Sequence, residues 1–169
     1  MFRNLIIFSL LVLGISSCSE DKEPPFDLPK NATQLLTSDS VKTWKLAQRF
    51  NNNTRMNMGD CFLSYRQSFR SNGKVNDNNG EQNDCGPTLF AEWKFTKSKE
   101  DVFYLKLTSD QIPELMNIEE NYKFFKILDM TDELLVLQFQ HKQFSNKTTT
   151  ITDFFVPQEM NVEGREFHW

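Results

Sequence analysis

The sequence predicts an all-β domain of eight antiparallel strands, a sandwich or a barrel. Three observations carry that prediction. Apolar and polar side chains alternate over short stretches between Val41 and Val156. Turn residues separate the stretches, and the connections between them are unevenly long.

The first thirty residues stand apart from this pattern. Met1–Asn4 carries Arg3, Leu5–Ile15 is apolar, and Ser16-Ser17-Cys18 follows. That is the order of a secretory signal: charged segment, apolar segment, small-residue cleavage site. Ile15-Ser-Ser-Cys18 resembles a bacterial lipobox, which implies cleavage before Cys18 and a lipid on its sulfur. Residues 1–17 are therefore expected to be a lipoprotein signal peptide. The apolar run is too short for a transmembrane helix, which needs about 20 residues. Residues 18–30 carry three prolines and several charges, and read as an extended tether. The acidic cluster directly after Cys18 resembles the surface-export signal of Bacteroidota lipoproteins. The expectation is an outer-membrane, lipid-anchored protein exposed at the cell surface.

Residues 31–169 are expected to form the folded domain. Asn31-Ala-Thr-Gln34 has capping-box spacing and predicts one or two helical turns before Ser40. Period two then takes over. Trp44, Leu46 and Phe50 alternate with Lys45 and Arg49, and Gln48 breaks the register. Leu63, Tyr65 and Phe69 alternate with Ser64, Arg66 and Arg70. A short strand near Lys74–Asn78 follows, then Leu89–Thr96, Phe103–Leu107, Tyr122–Asp129, Leu134–Gln140 and Lys147–Val156. Trp44 and Trp93 fall mid-strand on the apolar face and read as core anchors.

Ser71-Asn72-Gly73-Lys74 is a hairpin turn, with Asn-Gly supplying positive φ. Lys97–Glu100 and Met130–Asp132 are also short. Asn51–Asp60, Asn79–Thr88 and Thr108–Asn121 are long. In an up-and-down meander the short turns fall after the second, fourth and sixth strands. The long loops then share the opposite rim. The helix and tether lead into the tightly turned rim, which points the mouth away from the membrane.

Several motifs together resemble the lipocalin-like (calycin-type) domains of Bacteroidota lipoproteins. They are Trp44-Lys-Leu46 after a short helix, Cys61 before the second strand, Phe69-Arg-Ser-Asn-Gly73, Cys85, Trp93-Lys-Phe95, Lys126-Ile-Leu-Asp129 and Glu133-Leu-Leu-Val-Leu137. Lys42 stands where the glycine of the lipocalin Gly-x-Trp signature falls. The resemblance covers about Leu35–Val156 and implies an eight-stranded antiparallel up-and-down barrel. It implies no single function.

The chain is mildly acidic, at net charge −4, and loses only Arg3 among its charges with residues 1–17. It carries no basic footprint for nucleic acid and no polybasic patch for anionic lipid. Membrane attachment rests on acyl chains at Cys18. With Cys18 lipidated, Cys61 and Cys85 remain, and an even remainder in an exported chain suggests a disulfide. Both lie twelve residues from Gly73, so a hairpin centred there brings them opposite one another. Two free thiols are the alternative.

Sixteen phenylalanines invite two readings. They fill an eight-stranded barrel as core, or they line an aromatic cup open at the long-loop rim. The rim candidates for a small apolar or amphipathic ligand are Phe50, Leu63, Leu89, Tyr122 and Phe139, with Met56 and Met58 as an adaptable lid. Asp77, Asn79 and Gly80 match three offsets of a calcium loop, but Val75 and Gly86 occupy its first and last ligand positions. No metal or cofactor is expected. Glu119-Glu120 and Asp132-Glu133 sit beside turns, and no nucleophile triad, phosphate loop or zinc signature is present, so no enzyme is expected. Asp39-Ser40-Val41 is similar to a Bacteroidota O-glycosylation signal. Two function classes stand: a surface binding module, and an accessory subunit docked on an outer-membrane transporter or secretion complex.

Overall fold

The computed structural model describes residues 26–142 and 147–168. The expected signal peptide, Cys18 and the expected tether up to Pro25 lie outside the described residues. Nine strands follow in one sheet: β1 (Val41–Asn51), β2 (Thr54–Arg55), β3 (Arg66–Arg70), β4 (Lys74–Asp77), β5 (Phe90–Lys97), β6 (Phe103–Thr108), β7 (Tyr122–Met130), β8 (Leu135–Lys142) and β9 (Thr148–Pro157). β2 is a two-residue return that extends β1 into a hairpin past the rim. The other eight pair antiparallel with their sequence neighbours, and β1 pairs β9 to close the ring. The result is the eight-stranded up-and-down barrel that the resemblance implied.

One end is tightly turned, by residues 71–73, 98–102 and 131–134. Gly73 takes φ +82° there, a conformation that suits glycine. Helix α1 (Ala32–Thr37) lies across this end, with Leu36 fully buried. Its expected capping box is not formed, because Asn31 makes no side-chain cap bond. The helix is held by the barrel instead. Trp44 Nε1 donates to Leu36 O at 3.0 Å, and Lys42 Nζ donates to Leu35 O at 3.1 Å and Asp132 O at 2.6 Å. Lys42 also lies 4.1 Å from the centroid of the Trp44 ring. Packing begins before the helix: Phe26 and Leu28, expected in the tether, lie against the core.

The closed half is filled. Trp44, Leu46, Phe69, Ile127 and Leu135 are fully buried in it. Phe69 meets Trp93 edge to face at 6.2 Å, a geometry favoured by ring quadrupoles. Trp93 keeps its polar handle satisfied through Nε1 to Arg70 O at 3.0 Å. Both tryptophans are therefore core anchors.

β1 carries a bulge between Leu46 and Gln48. An extra residue in one strand inverts the inside–outside alternation beyond it. Trp44 and Leu46 point inward, but past the bulge Arg49 takes the inward face. β1 also leaves β3 after Lys45, since their pairing spans only Val41–Lys45. The C-terminal segment fills the resulting gap. Arg165 donates to Leu46 O through Nε at 3.1 Å and Nη2 at 2.6 Å, and Nη2 also reaches Leu63 O at 2.9 Å. Lys45 Nζ bonds Met160 O.

Candidate ligand cavity at the open rim

The long loops gather at the other end and are ordered by short helical pieces. α2 (Asp60–Ser64) lies in the first loop, a single 3-10 turn (Asn79–Glu81) in the second and α3 (Ile112–Met116) in the third. Cross-bonds tie them into a collar. The Cys61–Cys85 disulfide joins the first loop to the second, with Cα atoms 5.4 Å apart. Gln111 Oε1 accepts from Phe90 N at 2.8 Å, and Gln111 Nε2 donates to Thr88 O at 3.2 Å, joining third to second. Gly80 is needed where it stands, because a Cβ there would lie 2.9 Å from Thr88 Oγ1.

The disulfide is the expected one, but the hairpin ladder does not form it. Gln67 pairs Asp77 and Phe69 pairs Val75, so the hairpin centres on Asn72, one residue before Gly73. The cysteines lie beyond that ladder, Cys61 on α2 and Cys85 in the following loop. The folding-back of α2 over the mouth brings them together.

Inside the collar is a cavity of about 420 Å³, within the range of small-molecule sites. Its apolar side comes from Leu105 and Leu107 on β6, Phe125 on β7, and Leu137 and Phe139 on β8, with Leu115, Met116 and Ile118 above them. Phe125 and Phe139 meet edge to face at 5.1 Å. Lys123, His141 and Lys142 stand nearer the mouth on the same side.

The opposite side is polar. Arg49 makes a two-pronged bond to Asp153, Nε to Oδ1 and Nη2 to Oδ2, each 2.6 Å. Its guanidinium lies 4.4 Å from the Phe62 ring centroid. Asp153 is only 3% exposed, and burial pushes its carboxyl above the usual range against the pull of Arg49. Burial acts to lower Arg49, and its bond and attraction to Asp153 outweigh that, so the guanidinium rises further above its ordinary value. Asp77 Oδ1 accepts from Asn79 N and Leu89 N, each at 3.1 Å. Burial nevertheless pushes the Asp77 carboxyl up. Tyr65 and Gln67 complete this wall. The Tyr65 hydroxyl is raised by burial first, then by the charges of Asp77 and Asp153.

Of the expected rim residues, Leu89 and Phe139 line the cavity, and the disulfide borders it. The other five lie elsewhere. Phe50 points outward past the bulge and packs on Phe154 at 5.5 Å. Tyr122 also lies outside, against Phe124 at 5.4 Å, because β7 turns Lys123 and Phe125 inward. Leu63 belongs to α2 rather than to a strand, and packs on the core. Met56 sits in the β1–β2 hairpin, bonded through its N–H to Arg49 O. Met58 is buried, and its N–H bonds Glu166 O. Neither methionine reaches the cavity, so the lid is α3 with Met116 instead. Of the polar wall, the sequence singles out only Asp77, and that as part of a calcium loop; Arg49, Gln67 and Asp153 carry no motif that marks them. A signal for Arg49 was present in Gln48, whose break in the pattern marks the bulge that turns it inward.

No family model matches the chain, and no curated protein matches it. Among solved structures it is similar to a lipocalin-like protein from Bacteroides uniformis ATCC 8492. The TM-score is 0.45 and the identity 14%, over 72% of this chain and 97% of that one.

Proposed function

We propose that this protein binds a small amphipathic molecule in the rim cavity while tethered by lipid at Cys18 to the outer membrane, with the mouth facing outward. It acts as a binding module and not as a catalyst. One observation carries the reading: a barrel filled at its closed half and hollow at its looped half, with one wall apolar and the other polar. Burying an apolar ligand portion against such a wall stabilises by about 25 cal/mol per Å² removed from water. The test uses Nile red, a neutral dye whose emission brightens and shifts to the blue in apolar surroundings. The wild type should bind it saturably. Leu107→Trp, which fills the cavity from β6, should not, with Met116→Trp as a second filler if the first variant melts early. Equal dye binding by wild type and a folded filler variant sinks the reading.

Anchoring is tested separately. Palmitate should label the wild type and leave Cys18→Ser unlabelled; equal labelling counts against a lipid at Cys18.

A second reading has its own observation. The outer face of β5–β7 exposes Phe90 at 63% and Phe124 at 42%, beside Tyr104 and Tyr122. Exposed aromatic surface favours docking on a larger outer-membrane assembly. The cavity and this face lie on different surfaces, so the two roles are compatible.

A further inference from the structure

We infer that the cavity selects ligands whose polar end donates hydrogen bonds, a neutral hydroxyl- or N–H-bearing group, over carboxylate lipids of the same chain length. This rests on the cavity being the binding site and adds the chemistry of what enters it.

The polar wall shows which bonds remain to be made. Asp153 spends both oxygens on Arg49. Arg49 Nη1 has no partner among the described residues and is free to donate. Asp77 uses Oδ1 for two backbone N–H groups, and Oδ2 has no partner among the described residues. Gln67 is 7% exposed and Asp77 5% exposed, and both line the cavity. The Gln67 amide and the Tyr65 hydroxyl make no hydrogen bond among the described residues. Arg49 and Tyr65 are half-buried, and all four groups keep a face open to the cavity, where they converge on one wall. A ligand that displaces water from this wall has to replace the hydrogen bonds that water makes there.

Their chemistry restricts the ligand. An ionised Asp77 oxygen can only accept, so the ligand must present an O–H or N–H to it. Gln67 and Tyr65 both donate and accept, which suits a hydroxyl or an amide. A carboxylate cannot donate. It would also meet a wall holding two carboxylates and one guanidinium, the latter already neutralised by Asp153. Sites built to hydrogen-bond a ligand group discriminate strongly against analogues that lack it.

The experiment is displacement of Nile red by three lipids sharing one twelve-carbon chain: 1-monolauroylglycerol, laurate and methyl laurate. Wild type should prefer the monoglyceride by about ten-fold or more over both others. Asp77→Asn keeps an oxygen for the two backbone N–H groups but turns the free atom into a donor. It should weaken the monoglyceride and tighten methyl laurate, narrowing or reversing the preference. Tyr65→Phe, which retains the ring, should weaken the monoglyceride more than either other lipid. Laurate binding as tightly as the monoglyceride would overturn the inference and point to Lys123 and Lys142 as the head-group site. A preference unchanged in both variants would overturn it as well. Saturable dye binding lost in Leu107→Trp shows the cavity reading intact in either case; dye binding that the filler leaves intact brings down both.

Discussion

Asp77 carries two loads that pull against one another. Its Oδ1 orders the start of the second loop by accepting from Asn79 and Leu89, yet its charge is taken out of water. A carboxyl raised in the folded state binds its proton more tightly there than in the unfolded chain. Its effect is therefore absent at pH values below the unfolded value of 3.8 and destabilises as pH rises through that value to the raised one. Asp77→Asn retains the accepting oxygen and removes the charge. Its melting temperature should match the wild type near pH 3.5 and exceed it at pH 7. A deficit larger at pH 7 than at pH 3.5 would show that the ionised carboxylate stabilises the fold and would contradict this sign. The same scale explains which site residues were legible. Leu89 and Phe139 obey simple alternation and line the cavity. In β7 the apolar signal is inverted, since Lys123 points in while Tyr122 and Phe124 point out, where Lys106 covers both rings at 4.1 and 5.4 Å. Cation–π contact makes that outer arrangement favourable, and a count of apolar positions does not register it.

Elements were legible where period two runs unbroken, and β5, β6, β8 and β9 lie within a few residues of their expected bounds. They were illegible where a disulfide, a bulge or a distant segment decides. Leu63 and Tyr65 alternate as a strand would, yet Cys61 and the Ser64 Oγ bond to Asp60 O at 2.7 Å belong to a helical turn. The C-terminal segment carries no strand pattern and so no local signal for its role. Its work is long-range: Arg165 reaches Leu46 O, just past the point where β1 parts from β3, and Leu63 O on α2, which Arg66 Nη1 also reaches at 3.0 Å. Arg165→Ala should cost about 1–3 kcal/mol, chiefly from Leu46 O losing the donor that Arg165 supplies. Urea unfolding measures it, as a lower midpoint with an unchanged slope. An unmoved midpoint would show that the tail is dispensable to closure.

At the scale of the whole molecule, the unequal connections divide the labour of the barrel. Short turns and α1 seal one end over the tryptophan core. Long loops, stapled by Cys61–Cys85 and Gln111, hold the other end open around a cavity. This division was readable in loop lengths alone, because alternate connections of a meander share a rim. Whether the barrel interior was full or hollow was not readable, since sixteen phenylalanines serve either arrangement. The polar wall decides it: Arg49 and Asp153 occupy inward positions that a fully packed core would give to apolar side chains, and space remains beside them. We propose this space as the ligand site. Native mass spectrometry of the mature protein, isolated under mild conditions from cells that make it, tests that most directly. The wild type should carry a one-to-one adduct of a small organic molecule, absent from folded Leu107→Trp isolated in parallel. A wild type carrying no adduct, or one equally present on the filled variant, would contradict it.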